Sequence, residues 1–222
     1  KNGAGYVFDR LGVNERIILI STLAKGFGCV GGTAIFGDEE MYEKVNLFGG
    51  PLTYSHPLSP GTAGAAIASA KIHLSDEIYK LQNELKELIA YTNFLLSDKN
   101  LPNISSPHSP IYFIGAGSYK VTLNLVNRML KDGFYLNPAT FPAVPNDKTG
   151  LRFTITRHRT KEDIKAFVDA LAYHFPLAIQ EEGKNIEDIY KKFGVVYDQS
   201  ISTGSLEEKN DLNIQIQQFS SI

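Results

Sequence analysis

A stripe of apolar residues between positions 77 and 96 constrains this chain more than any other feature in it. Ile78, Leu81, Leu85, Leu88 and Leu95 recur at three- and four-residue steps, with Thr92 completing the series. That spacing predicts a helix over Glu77–Leu96 with one face that must be buried. The segments that follow supply what it can pack on. Ile111–Ile114 reads as a strand. Val121, Leu125 and Met129, with Val126 and Leu130, read as a second helix stopped by Gly133. Phe134–Leu136 and Leu151–Thr156 read as strands. Thr160-x-x-Asp163 reads as a capping box opening a third helix, with Ile164, Phe167, Val168 and Leu171 inward. The order helix–strand–helix–strand–strand–helix predicts a small α+β layer with helices on one face of a sheet.

Upstream, Ile17-Ile18-Leu19-Ile20 predicts a short buried strand. A glycine-dense stretch through Gly31-Gly32 separates it from Thr33-Ala34-Ile35-Phe36, which predicts two paired strands around a loop that something approaches closely. Gly49, Gly50, Pro51, Pro57 and Pro60 predict irregular chain over 47–60, and an Ala/Gly-rich helical pattern follows from Thr62. Beyond Pro176 the character changes. Residues 184–193 fit a short helix, 198–210 are rich in Ser, Glu, Lys and Asn, and Leu212-x-Ile214-x-Ile216 alternates like a strand that cannot bury itself alone. Three segments are expected: 1–60, 61–176, and a tail or linker over 177–222.

Composition excludes several function classes. The chain has 222 residues, 43% of them apolar, enough for a sizeable core. Its 22 Lys+Arg face 24 Asp+Glu, so the basic footprint of a nucleic-acid binder is missing. No apolar run approaches the roughly 20 residues that cross a bilayer, so no transmembrane segment is expected. Cys29 is the only cysteine, which excludes an internal disulfide framework and a Cys-based zinc site and suits a reducing, cytoplasmic setting. His56, His73, His108, His158 and His174 show no pair at metal-ligand spacing, so no metal site is expected. The opening Lys1-Asn2-Gly3-Ala4-Gly5 has no initiator Met and no signal-peptide core, and reads as the middle of a chain.

The most suggestive chemistry lies in Ser21-Thr22-Leu23-Ala24-Lys25-Gly26-Phe27-Gly28. A strand ends, two hydroxyls follow, and a lysine stands in a turn beside glycine. Such an amine can form a Schiff base with a carbonyl if its surroundings lower its proton affinity, and nearby hydroxyls and backbone N–H groups can hold a phosphate. The spacing alone favours a solvated loop lysine, since Lys-Gly loops are common.

Thr22-x-x-Lys25, followed by Gly28 and Gly31-Gly32, resembles the pyridoxal-phosphate lysine segment of the α-oxoamine synthases. Further resemblances follow in the family's order. They are Tyr54-Ser55-His56-Pro57-Leu58-Ser59-Pro60, Ser109-Pro110-Ile111, Gly133-Phe134-Tyr135-Leu136, Phe141-Pro142-Ala143-Val144-Pro145, Leu151-Arg152-Phe153-Thr154, and Thr160-x-x-Asp163-Ile164. The resemblance spans roughly residues 1–175. It implies an α/β fold: the end of the large domain of a fold-type-I pyridoxal-phosphate transferase (1–60), then an α+β C-terminal small domain with its linking helix (61–176). It places the residues that pair with the pyridine nitrogen and stack on the ring before residue 1.

The resemblance implies a function: a pyridoxal-phosphate-dependent acyltransferase that condenses an amino acid with an acyl-CoA, usually with decarboxylation, as a homodimer with a shared active site. It implies that Lys25 carries the cofactor and moves the Cα proton, and that Thr22 contacts the cofactor's phosphate or phenolic side. Ser55 is implied to reach the phosphate from the neighbouring subunit, and Arg152 to bind the amino acid's carboxylate through its planar fork. Three departures bear on substrate and contacts. His56 stands where Thr is usual, Gly150 replaces the first arginine of an Arg-Leu-Arg pattern, and Ala143 replaces a threonine. Another fold-type-I enzyme, an aminotransferase or aldolase using the same lysine, is the alternative, as is a catalytically silent fragment.

Overall fold

The computed structural model describes residues 5–197. The alternation at 212–216 therefore lies outside the described residues, as does the polar stretch 198–210. The chain divides within one helix into two units, the first ending at Leu81 and the second starting at Gln82.

In the first unit, α1 (Tyr6–Leu11) precedes a two-stranded antiparallel sheet of β1 (Ile18–Thr22) and β2 (Gly32–Phe36). Ile18 pairs with Phe36 and Thr22 with Gly32, so the glycine-dense stretch closes a hairpin, as its composition requires. The isoleucine run is a strand but not a buried one: only Ile17 and Leu19 are even half-buried along it, and Ile20 is 79% exposed. A strand this apolar is buried only when layers cover its faces, and the described hairpin gives it a single neighbour, β2. Three helices arise where irregular chain or no element was expected, α1 among them. For α2 (Glu39–Phe48) the Asp38 carboxylate accepts from the N–H groups of Glu40 and Met41 at 3.2 and 3.0 Å, a capped start with two more acids in the first turn. In α3 (Gly50–Tyr54) Pro51 sits in the first turn, where its missing N–H costs nothing. Ser59 caps α4 (Pro60–His73).

Helix α5 (Glu77–Asp98) is longer by two residues than its stripe suggests. In the second unit it buries Leu88, Ile89, Thr92, Leu95 and Leu96, and the Thr92 hydroxyl donates to the Leu88 carbonyl at 2.7 Å, so its polarity is satisfied. Next come β3 (Ile111–Gly115), α6 (Tyr119–Lys131), β4 (Asn137–Ala139), β5 (Gly150–Thr154) and α7 (Lys161–Glu181). The expected order of elements is the order found. The sheet runs β3-β5-β4, antiparallel throughout. Tyr112, Ile114 and Leu151 point to one face and pack with Val121, Leu125 and Met129 of α6 and Ile164, Val168 and Leu171 of α7. Burying a side chain of this size contributes about 1.5–3 kcal/mol, so this shared core is what fixes the sheet.

Two expectations need correction here, the place of one strand and the start of the tail. The strand expected at Phe134–Leu136 forms three residues later. Leu136 is buried as a core residue, while Pro138 is accommodated because β4 is an edge strand with no ladder donor required there. Pro176 does not end the helix: α7 continues to Glu181. An interior proline costs about 3 kcal/mol, and burial of Phe175, Ala178 and Ile179 around it is of comparable or greater size. The segment from 177 is accordingly no separate tail as far as 197. Helix α8 (Ile186–Phe193), near the expected 184–193, puts Ile189 and Tyr190 into the same core and ends on Gly194 in the left-handed region.

On the rim, Asn124 and Arg128 of α6 reach Glu181 at 3.0 and 2.6 Å. The Asn124 hydrogen bond, then that of Arg128, holds the Glu181 carboxyl below its ordinary range.

Candidate active site

The loop between β1 and β2 is built by its own backbone. Leu23 N–H donates to the Gly31 carbonyl, Cys29 N–H to Leu23, and Gly28 N–H to Lys25, each at 2.9 Å. Gly28 (φ 71°) and Gly31 (φ 125°) take conformations closed to most side chains. Thr22, the last residue of β1, is exposed, and its hydroxyl accepts from the Ala24 N–H at 3.1 Å. The side chain therefore shapes the entry to the turn while its own proton stays free for a ligand. Lys25 stands exposed at the tip, and among the described residues its amine makes no hydrogen bond or ion pair. The backbone N–H groups of Lys25, Gly26 and Phe27 are likewise unbonded among the described residues. Cys29 is buried and unpaired, a packing residue at the base of the loop.

This donor set fits pyridoxal phosphate. A primary amine with no competing carboxylate can bond an aldehyde carbon, and a hydroxyl with nearby free N–H groups can take a phosphate oxygen. A Cβ at Gly26 or Gly28 would meet nothing within 4 Å, so the approach is open.

The segment carrying Ser55 is brought to this loop. Leu58 packs over Gly31, where an added Cβ would lie 2.8 Å from a Leu58 methyl. Ser55 itself is exposed at the end of α3, and its hydroxyl donates to the Pro51 carbonyl. It serves the turn here, with its oxygen still able to accept.

Arg152 belongs to the other unit. On β5 it lies opposite Phe113 of β3 and Asn137 of β4, on the sheet face away from Tyr112, Ile114 and Leu151. It is exposed, and its guanidinium has no partner among the described residues. A free planar fork on a strand is suited to a carboxylate.

Two aromatic pairs of interest escaped the sequence. Phe27 stacks on His73, and Phe113 meets Phe193 of α8. Both pairs join positions far apart in the chain, and no local pattern announces them. A cavity of about 550 Å³ along α6 and the end of α7, lined by Asn124, Arg128, Asp132, His174 and Glu181 among others, contains none of Thr22, Lys25, Ser55 and Arg152. Among the described residues no helix is long and apolar enough to cross a membrane.

Comparison with known proteins gives this geometry a family. The model described as aminotransferase class I and II matches residues 3–171. The 5-aminolevulinate synthase (erythroid-specific, mitochondrial) of Pongo abelii is 29% identical over 189 residues, covering 84% of this chain and 31% of that protein. The 8-amino-7-oxononanoate synthase of Saccharophagus degradans is 30% identical over 174 residues, 78% of this chain and 43% of that one. Among solved structures, the serine palmitoyltransferase of Sphingomonas wittichii shares the fold over 82% of this chain and 44% of its own, with a TM-score of 0.69 at 20% identity. A lysine-to-alanine variant of the serine palmitoyltransferase from S. paucimobilis, with bound PLP–myriocin aldimine, does so with a TM-score of 0.67 at 21% identity. The chain spans about a third of the length of the 5-aminolevulinate synthases it matches. The resemblance read from the sequence and these relatives agree: all three are α-oxoamine synthases.

Proposed function

The chain belongs to the aminotransferase class I and II family, and from that premise we propose that it is the part of a pyridoxal-phosphate-dependent acyltransferase that carries the cofactor lysine and the carboxylate-binding arginine. The substrates in this reading are an amino acid and an acyl-CoA, the product is an α-oxoamine, and the working assembly is a homodimer. The observation that carries it is the unpaired amine of Lys25 on a loop of free N–H groups beside the Thr22 hydroxyl.

The residues divide the work. Lys25 Nζ would hold the cofactor and would take the proton from the amino acid's Cα. Pyridoxal phosphate, when bound, supplies the electron sink for the resulting carbanion. The Thr22 hydroxyl donates to a cofactor oxygen while accepting from Ala24. Ser55 offers its oxygen near the phosphate, and Arg152 holds the substrate carboxylate in two charge-assisted hydrogen bonds. Carboxylate binding by Arg152 orients the Cα–H bond, the part of catalysis that positioning alone provides. The large-domain reading of 1–60 and the small-domain reading of 61–176, with its linking helix, belong to this proposal. So does a reducing, cytoplasmic setting, which the single unpaired Cys29 supports.

Reductive trapping tests the assignment. The chain is incubated with pyridoxal phosphate, reduced with borohydride, and peptide-mapped. The label is expected at Lys25 and absent from the Lys25→Ala variant. A label spread evenly over the exposed lysines overturns the proposal. In the dimeric enzyme, an amino acid plus acyl-CoA should release free CoA; formation of a keto acid without CoA would indicate transamination instead.

A further inference from the structure

Gly150 and Gly115 face each other across β5 and β3, on the same sheet face as Arg152. Neither has room for a side chain. A Cβ at Gly150 would stand 2.8 Å from two ring carbons of Phe113, and one at Gly115 would collide with the ring of Phe193. Two paired glycines thus open a slot in the sheet surface, and two aromatic rings fill it, with centroids 6.2 Å apart and planes tilted by 54°. Phe113 is the direct cross-strand neighbour of Arg152, yet its ring leans over Gly150. The guanidinium is left open, with an apolar shelf along one side. The second ring comes from α8, beyond the residues that the family model matches.

The arrangement ties together three sequence features that otherwise look unrelated. Gly150 stands where the family pattern has an arginine, Phe113 lies in the strand after Ser109-Pro110, and Phe193 ends α8. A larger residue at 150 would collide with the Ile114 carbonyl and with the Phe113 ring that stands beside Arg152 on this face. Glycine there keeps the arginine accessible and gives it an aromatic rather than a charged neighbour.

We propose that the carboxylate taken by Arg152 bears an apolar substituent that lies on Phe113, and that Phe193 positions Phe113 for this contact. The proposal rests on Arg152 being the carboxylate site. It adds that the site selects among carboxylates: those with a short apolar chain bind better than the bare acid. For an amino-acid substrate, this favours an apolar side chain over glycine.

The test titrates the full chain, labelled for arginine Nε NMR, with acetate and with butyrate, and assigns the Arg152 resonance by its loss in Arg152→Gln. Each fully buried methylene is worth about fourfold in affinity, so two partly covered ones should give butyrate an advantage of at least about fivefold. Phe113→Ala should cut that advantage below about twofold, and Phe193→Ala should reduce it while leaving the acetate affinity nearly unchanged. If neither acid moves the Arg152 resonance, the carboxylate assignment fails and this proposal with it. If both acids move it with equal affinity, the carboxylate assignment stands and the apolar shelf is overturned. That comparison needs no variant at Phe113, so a poorly folding Phe113→Ala does not shield the proposal. Phe113→Leu, which keeps apolar bulk, should then give an intermediate preference, and an unchanged one overturns the role of the ring.

Discussion

Phe27 and His73 stack face to face, with ring centroids 4.9 Å apart and planes 20° apart. Phe27 lies two residues beyond Lys25, and His73 is the last residue of α4. The imidazole is itself fixed, because Nδ1 donates to the Ser69 carbonyl at 2.8 Å. The pair ties the tip of the lysine loop to a helix end. A loop that presents an amine to a cofactor benefits from such a tie, since misplacement by about an ångström is costly to catalysis.

Removing either ring should therefore loosen the loop. Aromatic stacks contribute about 0.5–1.5 kcal/mol, which corresponds to about a two- to tenfold faster amide exchange over residues 23–29. Phe27→Ala and His73→Ala should each produce that change by hydrogen-exchange mass spectrometry, and the double variant little more than either. Exchange unchanged in both singles would show that the backbone bonds alone hold the loop.

The start of α7 offers a second measurement. Thr160 Oγ1 accepts from the Asp163 N–H at 3.1 Å, and the Asp163 carboxylate accepts from the Thr160 N–H at 3.0 Å. Thr160→Ala should cost about 1 kcal/mol, read as a lower urea midpoint with an unchanged slope. Thr160→Ser should restore most of it. A midpoint unmoved by Thr160→Ala would mean that core burial holds α7 without its cap.

That cap also shows where sequence reading succeeds. Both halves of the box are written within four residues, and the burial of Ile164, Val168 and Leu171 follows from one helical period. The same holds for α5 and α6. Reading fails where the deciding partner is distant. Nothing local to Pro176 reveals that Phe175, Ala178 and Ile179 are buried firmly enough to carry a helix through it. Helix α2 was within reach, since Asp38 before Glu39-Glu40 is a start signal, whereas α1 has no side-chain cap to announce it. At the site, the lysine loop and Arg152 are legible because a family pattern surrounds each. Phe27–His73 and Phe113–Phe193 are not, because each is a contact between elements far apart in sequence.

Alkaline pH should weaken the second unit through its tyrosines. The Tyr112 hydroxyl donates to the Ile89 carbonyl at 3.1 Å in a fully buried position, and burial pushes its pKa up from 10.0. Burial, followed by the nearby Tyr197, pushes Tyr190 up as well. A raised pKa means that the folded chain binds the proton more tightly than the unfolded one. The contribution is therefore complete below about pH 10 and is lost as the pH rises toward the folded value. Urea midpoints should be insensitive to these groups from pH 7 to 9 and fall above about 10. Tyr112→Phe should cost about 1 kcal/mol for the lost hydrogen bond and make that fall shallower. An equally steep fall in Tyr112→Phe would assign the alkaline loss to other groups.

Gly150→Ala tests the seat of the aromatic shelf. A methyl at 150 meets the Ile114 carbonyl on one side and the Phe113 ring at 2.8 Å on the other. The ring can swing away, but Phe193 stands beside it, and the carbonyl belongs to a paired strand that cannot move without breaking register. Overpacking of this kind costs about 1–3 kcal/mol. The two obstacles can be separated. Phe113→Ala in the same chain relieves the ring but not the carbonyl, so the double variant should lose less than the sum of the two single losses. That non-additivity is expected of residues in contact. Strict additivity would place the Phe113 ring away from Gly150, and the glycine at this position would then owe its presence to the Ile114 carbonyl alone.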